Sequence, residues 1–127
     1  MPTTGRFALK NIGTGETVGM GRGGRYLKSG GCVEFEYKLD ADEVWGVLQP
    51  HGNNKVVDFW SRQGIFGMWK KHKGNNQRFR MEGKYLLSKI GKAVKPRSNG
   101  KIGVSQPACD DKNEQWEILD SCPVTNE

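Results

Sequence analysis

Apolar positions in this chain come in short runs that alternate with polar ones, and glycine or asparagine separates the runs. Phe7 and Leu9 lie two residues apart, as do Tyr85 and Leu87, so each pair shares one face of an extended strand. This pattern predicts strands near residues 6–11, 17–20, 26–27, 33–37 and 44–48. Further strands are predicted at 55–59, 64–69 and 77–81, then at 85–88, 93–94, 101–105 and 115–119. The breakers between them are Gly21, Gly23 and Gly24, then Gly30-Gly31, His51-Gly52-Asn53-Asn54, Lys73-Gly74-Asn75-Asn76 and Ser98-Asn99-Gly100. Asn99-Gly100 is a strong hairpin signal, because both residues tolerate the left-handed backbone of a tight turn. No stretch keeps a helical period over about ten residues.

The pattern also repeats. Gly5 to Gly13 reads Gly-Arg-Phe-Ala-Leu-Lys-Asn-Ile-Gly, and Gly83 to Gly91 reads Gly-Lys-Tyr-Leu-Leu-Ser-Lys-Ile-Gly. In register they share Gly, a base, an aromatic ring, Leu, Ile and Gly, and each runs on to a valine, Val18 or Val94. A second mark places Glu or Gln just ahead of a large ring: Glu43-Val44-Trp45, Gln77-Arg78-Phe79 and Glu114-Gln115-Trp116. These rings stand 34 and 37 residues apart and divide the chain near 5–47, 48–82 and 83–120, with 121–127 as a tail. One such unit cannot bury its apolar face alone. Three together close a barrel and leave few open edges. The expectation is a single all-β domain with Trp45, Phe79 and Trp116 meeting in a shared core.

Composition agrees with that reading. A chain of 127 residues suits one domain. Eighteen glycines and 35 % hydrophobic residues fit many turns, or disorder. Four Trp, five Phe and three Tyr spread along the chain argue against disorder, since rings carry much of the burial energy of a small core.

The formal charge of +6 is unevenly spread. Residues 70–101 hold eleven Lys or Arg and one acid, Glu82, whereas 106–127 hold six acids and one base, Lys112. A basic block of this kind fits either a polyanion partner or a solvated surface. Three cysteines, Cys32, Cys109 and Cys122, are too few and too widely spaced for a disulfide framework. They leave room for one bridge, with Cys109–Cys122 the pairing considered. The first residues, Met-Pro-Thr-Thr-Gly-Arg, show no apolar leader, and no run approaches a membrane span. A cytoplasmic setting is therefore expected, with secretion without a visible signal peptide left open.

At this point the residues resemble a known pattern. Repeated Gln-x-Trp marks the ricin-B-type β-trefoil lectins, and this chain looks like a degenerate member. The run from Met68 to Phe79, Met-Trp-Lys-Lys-His-Lys-Gly-Asn-Asn-Gln-Arg-Phe, is the best local match. The opening segment, with Phe7, Leu9, Asn11, Thr14-Gly15 and Val18, also resembles trefoil starts in fungal lectins and protease inhibitors. The resemblance implies a β-trefoil that binds carbohydrate and does no catalysis. It implies a sugar site in the second unit, with Asp58 as the carboxylate, Trp69 as the ring platform, Asn76 as the polar partner, Gln77 steadying it and His72 close by. A carboxylate accepts two hydroxyl protons, an amide donates and accepts, and an indole covers the apolar face of a sugar. Galactose-type or sulfated glycans are the expected partners.

The departures are specific. Gly67 stands where the family often has Gln, the stretch from Asp58 to Trp69 is short, and the last ring is Phe79. Gly19 or Met20 in the first unit and Lys95 in the third occupy the place of the Asp. Those units are therefore expected to lack a site of this kind.

Other chemistries have less support. His51 and His72 lack a third ligand at metal spacing, so no metal and no cofactor is expected. No motif pairs a cysteine with a histidine for nucleophilic catalysis. The glycines between 19 and 24 lack the Gly-Lys-Ser/Thr of a phosphate loop. The main competitor is binding of a sulfated glycan, nucleic acid or protein through the basic segment 70–101, with Lys70, Lys71, Lys73, Arg78 and Arg80 around one loop. A third class is protease inhibition through an exposed arginine such as Arg22, Arg25 or Arg97.

Overall fold

In a computed structural model, residues 1–108 and 110–124 are described. They form twelve strands: β1 (Ala8–Asn11), β2 (Val18–Met20), β3 (Leu27–Ser29), β4 (Phe35–Leu39), β5 (Gly46–Pro50) and β6 (Val56–Trp60). The rest are β7 (Ile65–Trp69), β8 (Phe79–Glu82), β9 (Tyr85–Ser88), β10 (Lys92–Pro96), β11 (Ile102–Ser105) and β12 (Trp116–Leu119).

Six strands close a ring. Antiparallel ladders join β1 to β12, β4 to β5 and β8 to β9. Single pairings close the gaps between ladders: Phe7 with Phe35, Gly46 with Phe79, and Tyr85 with Gln115. The other six strands form three hairpins, β2–β3, β6–β7 and β10–β11. These are tied in a triangle by Tyr26 with Gly67, Ile65 with Gly103, and Lys28 with Lys101. A six-strand barrel capped by three hairpins about a pseudo-threefold axis is a β-trefoil.

The core obeys the same symmetry. Leu9, Leu48 and Leu86 stand at corresponding places, as do Val18, Val57 and Val94, then Leu27, Phe66 and Ile102, then Phe35, Phe79 and Trp116, and all are buried. Phe66 and Phe79 touch with ring centroids 5.3 Å apart. Each such side chain removed from water stabilises the fold by about 1.5–3 kcal/mol. Tyr37 carries its hydroxyl into this region and donates to the Phe79 carbonyl at 2.8 Å. Burial, followed by the nearby Asp40 and Asp42, pushes its phenol up to about 12.

Three expectations need correction. Trp45 is not a core ring: it is half-buried at the start of β5, with Arg80 5.0 Å and Lys89 5.9 Å from its ring centre. Phe35 takes its place beside Phe79 and Trp116. The near-regular spacing misled because Glu43-Val44-Trp45 mimics the closing mark while lying in the turn between two units. The first junction accordingly falls in the turn between Leu39 and Gly46 instead of at residue 47. Second, the pairing of Leu9 with Leu87 is one residue out of step. Asn11 lies opposite Trp116 just as Ser88 lies opposite Phe79, which matches Leu9 to Leu86. Tyr85, Leu86 and Leu87 are all apolar, so alternation alone could not say which one faces inward.

The third correction concerns the cysteines. Cys122 bonds to Cys32, with Cα atoms 5.8 Å apart, and not to Cys109, which lies outside the described residues. Because β1 pairs with β12, the chain leaving β12 passes the segment entering β4. The Cys122 amide donates to Glu34 Oε2 at 3.0 Å in the same place. A partner 90 residues away in sequence is invisible until that pairing is known. No helix among the described residues is long and apolar enough to cross a membrane.

Candidate functional site

Pairing in the β6–β7 hairpin decides which side chains share its outer face. Val56 lies opposite Trp69, Asp58 opposite Gly67, and Trp60 opposite Ile65. Residues directly opposite point to the same side, and every second residue does too. Val57, Phe59, Phe66 and Met68 therefore turn toward the core, while Asp58, Trp60, Gly67 and Trp69 share the other face. Gly67 leaves a gap there, and the Trp60 ring fills it, since a Cβ at 67 would overlap the indole. Trp69 is 52 % exposed, so it is a surface ring. The hairpin turn ends at Gly64, whose φ of +70° is a backbone that glycine adopts without strain.

The loop after β7 supplies the rest. A 3-10 turn at Asn75–Gln77 folds it back over the hairpin and leads into β8. Gln77 is fully buried and holds the loop in three directions: Nε2 donates to Asp58 Oδ2 at 2.8 Å and to the Lys70 carbonyl at 2.8 Å, while Oε1 accepts from the His72 amide at 2.7 Å. A buried amide satisfied in this way is rigid. The Gly74 amide donates to His72 Nδ1 at 2.8 Å, so that nitrogen carries no proton. The ring proton then sits on Nε2, which faces Asp58 Oδ2 at 3.4 Å. Asn76 Nδ2 donates to the Phe59 carbonyl at 3.0 Å, which fixes the amide plane and leaves its oxygen and second N–H for other partners.

Asp58, Trp60, Arg62, Trp69, His72 and Asn76 border one open cleft of about 520 Å³. The structure thus brings together Asp58, Trp69, His72 and Asn76 around a cavity, with Gln77 behind them as the brace. Trp60 and Arg62 were not anticipated from sequence. Trp60 lies two residues beyond Asp58 and so on the same face, but one residue past the strand predicted at 55–59; the observed strand extends to include it. Arg62 belongs to the turn, where periodicity says nothing.

The basic loop set separates on folding. Lys70, Lys71 and Lys73 are exposed in the loop that follows Trp69. Arg78 is buried, and its Nε meets Asp40 Oδ2 at 2.6 Å, so it is not available to an outside anion. Arg80, on β8, is engaged elsewhere: its guanidinium lies 5.0 Å from the Trp45 ring centre and 3.7 Å from Glu82 Oε1. As one polyanion surface the five-residue set is therefore corrected to three lysines.

Matching positions in the other repeats are built differently. In the third repeat Lys95 replaces Asp58 and pairs with Asp111 at 2.7 Å. The hydrogen bond from Lys95, then that from the Asn113 amide, holds the Asp111 carboxyl below its ordinary range. Glu114 stands in the place of Gln77, and its buried carboxylate accepts from Ser105 Oγ at 2.7 Å and the Ala108 amide at 2.9 Å. Ser105 holds the place of Trp69, and Arg97, in the place of Trp60, packs on Gly103. In the first repeat Gly19 lies against the Gly30 carbonyl, and a Cβ there would overlap it. Among the described residues no group of three His, Cys, Asp or Glu could hold a metal ion.

No family model and no curated protein matches this chain. Solved structures do. An endo-β-galactosidase from Clostridium perfringens that releases GlcNAcα1-4Gal is similar over 96 % of this chain, with a TM-score of 0.76 and 11 % identity. ThreeFoil, a designed threefold-symmetric protein, is similar over 92 % of this chain, with a TM-score of 0.71 and 15 % identity. A non-toxic homologue of type II ribosome-inactivating proteins from Momordica charantia, solved in complex with α-methyl-D-galactoside, is similar over 90 %, with a TM-score of 0.69 and 11 % identity. This chain spans 33 % of the galactosidase, 99 % of the designed protein and 47 % of the Momordica protein. At these identities the likeness shows the β-trefoil fold and nothing finer.

Proposed function

We propose that this protein binds carbohydrate without catalysis, through the cleft of the second repeat. One observation carries the reading: a nearly buried carboxylate, Asp58, borders the same cleft as a half-exposed indole, Trp69, and the amide of Asn76. The carboxylate accepts protons from two neighbouring sugar hydroxyls, the indole covers the C–H face of the ring, and the amide closes the polar edge. Gln77 and His72 keep Asp58 in place before a ligand arrives, which lowers the entropic cost of binding. The Momordica neighbour's galactoside supports galactose-type sugars as the first probes. A single cleft of this shape implies weak binding that grows when several chains act together. The Cys32–Cys122 bridge supports work in an oxidising compartment.

A second reading rests on Lys70, Lys71 and Lys73, which stand exposed in the loop after Trp69. They suit sulfated glycans, nucleic acid or an acidic protein, bound mainly by charge. A glycan array at low and high salt separates the two. Signal for neutral galactosides that survives salt, and that Asp58→Ala or Trp69→Ala removes while the fold stays intact, is the expected result. Signal confined to sulfated or nucleic-acid probes and lost in salt would replace the first reading with the second.

A further inference from the structure

Trp60 and Trp69 border two clefts. Both indoles also wall a second depression of about 380 Å³, which Asp58 does not line and which is closed by Arg25, Asn53, Asn54 and Lys55. Its walls come from two repeats: Arg25 lies between β2 and β3, and residues 53–55 lie between β5 and β6. The backbone fixes both. The Arg25 carbonyl accepts from the Met68 amide at 3.0 Å, and Tyr26 pairs with Gly67. Gln49 Nε2 donates to the Asn53 carbonyl at 2.6 Å, and the Lys55 amide donates to Asn53 Oδ1 at 2.9 Å. Arg25 and Lys55 are exposed, and among the described residues neither forms an ion pair. Arg25 and Lys55 are the charged residues that line this second cleft, and no carboxylate lines it.

We infer that the ligand is an oligosaccharide of two or more units that crosses the tryptophan pair and places an anionic substituent between Arg25 and Lys55. This rests on the carbohydrate reading of the Asp58 cleft and gives that site its substrate class. Two rings that each border both clefts give consecutive sugars a continuous apolar floor. The guanidinium fork and the ammonium then meet a sulfate ester or a carboxylate with charge-assisted hydrogen bonds. The neighbouring Asn53 and Asn54 offer neutral polar groups at the same end.

The test is calorimetric titration with methyl α-galactoside, lactose, 3′-sulfolactose and 3′-sialyllactose. The wild type is expected to bind one or both charged probes about tenfold or more tighter than lactose, the size expected for one charge-assisted contact. The sulfated and sialylated arms separate the two anions. The Arg25→Ala/Lys55→Ala double variant, altered only at exposed loop positions, is expected to bind both charged probes no better than lactose. Its affinity for methyl α-galactoside is expected to be unchanged, which also reports that it is folded. Equal affinity for charged and neutral disaccharides, or a double variant that keeps the preference, overturns the inference while leaving the Asp58 cleft intact. Failure of every probe to bind overturns both.

Discussion

The second and third repeats share one skeleton and differ almost wholly on its outside. Their core positions are near-copies: Val57 and Val94, Phe66 and Ile102, Phe79 and Trp116. On the outer face, Asp58, Trp60 and Trp69 of one repeat become Lys95, Arg97 and Ser105 of the other. The polar groups of the third repeat are spent on one another, with Lys95 on Asp111 and Glu114 on Ser105. Those of the second frame an open cleft. The lesson is that burial constrains the inner layer to threefold likeness, while the outer layer is free to diverge and becomes the place where function is built.

The largest test of this contrast lies in the shared layer. Phe79→Ala and Trp116→Ala are each expected to cost about 3–5 kcal/mol in urea unfolding, because each leaves a cavity at an equivalent core position. A cost below about 1 kcal/mol for either one would break the symmetry. Next comes the brace. Gln77→Ala is expected to cost about 1–3 kcal/mol, since the Asp58 carboxylate and the His72 amide lose a partner, and to abolish glycan binding on the array. Glu114→Gln in the third repeat should leave glycan binding untouched.

Smaller effects concern titration. Tyr37 is neutral in the fold, with its value raised, so its contribution is complete below pH 10 and is lost as pH rises toward about 12. Thermal melts across that window should fall in the wild type and stay flatter in Tyr37→Phe, which itself costs about 1 kcal/mol at neutral pH through the lost bond to Phe79. Asp111 runs the opposite way. Its value is lowered, so its contribution is present above the ordinary carboxylate range and fades as pH falls below it. Asp111→Asn should flatten that acid limb without changing any ligand titration, the smallest effect of the set.

The strands were legible almost throughout, because half-buried β structure writes its period into the sequence. The stretch from Tyr85 to Ser88 was placed with both ends correct, and the turn at Asn99-Gly100 lies where that dipeptide predicts. Trp69, His72, Asn76 and Gln77 lie in one local run and Asp58 in the strand before it, and the five meet around or behind one cleft. What sequence hid was everything set by closure of the barrel. Phe35 as the first core ring, the inward turn of Leu86 and the Cys32–Cys122 bridge all depend on pairings between distant segments. The second cleft was hidden for the same reason, because Arg25 and Lys55 line one depression only when two repeats pack together.

The ladder between β1 and β12 also sets the order in which the molecule can be made. During synthesis one edge of β1 stays without its ladder until residues beyond 115 have emerged, so the final closure joins the most distant parts of the chain. Contacts of such long range make for slow folding. Once Cys32 and Cys122 are linked, that closure is retained through every later unfolding, and oxidised chains should refold faster than reduced ones.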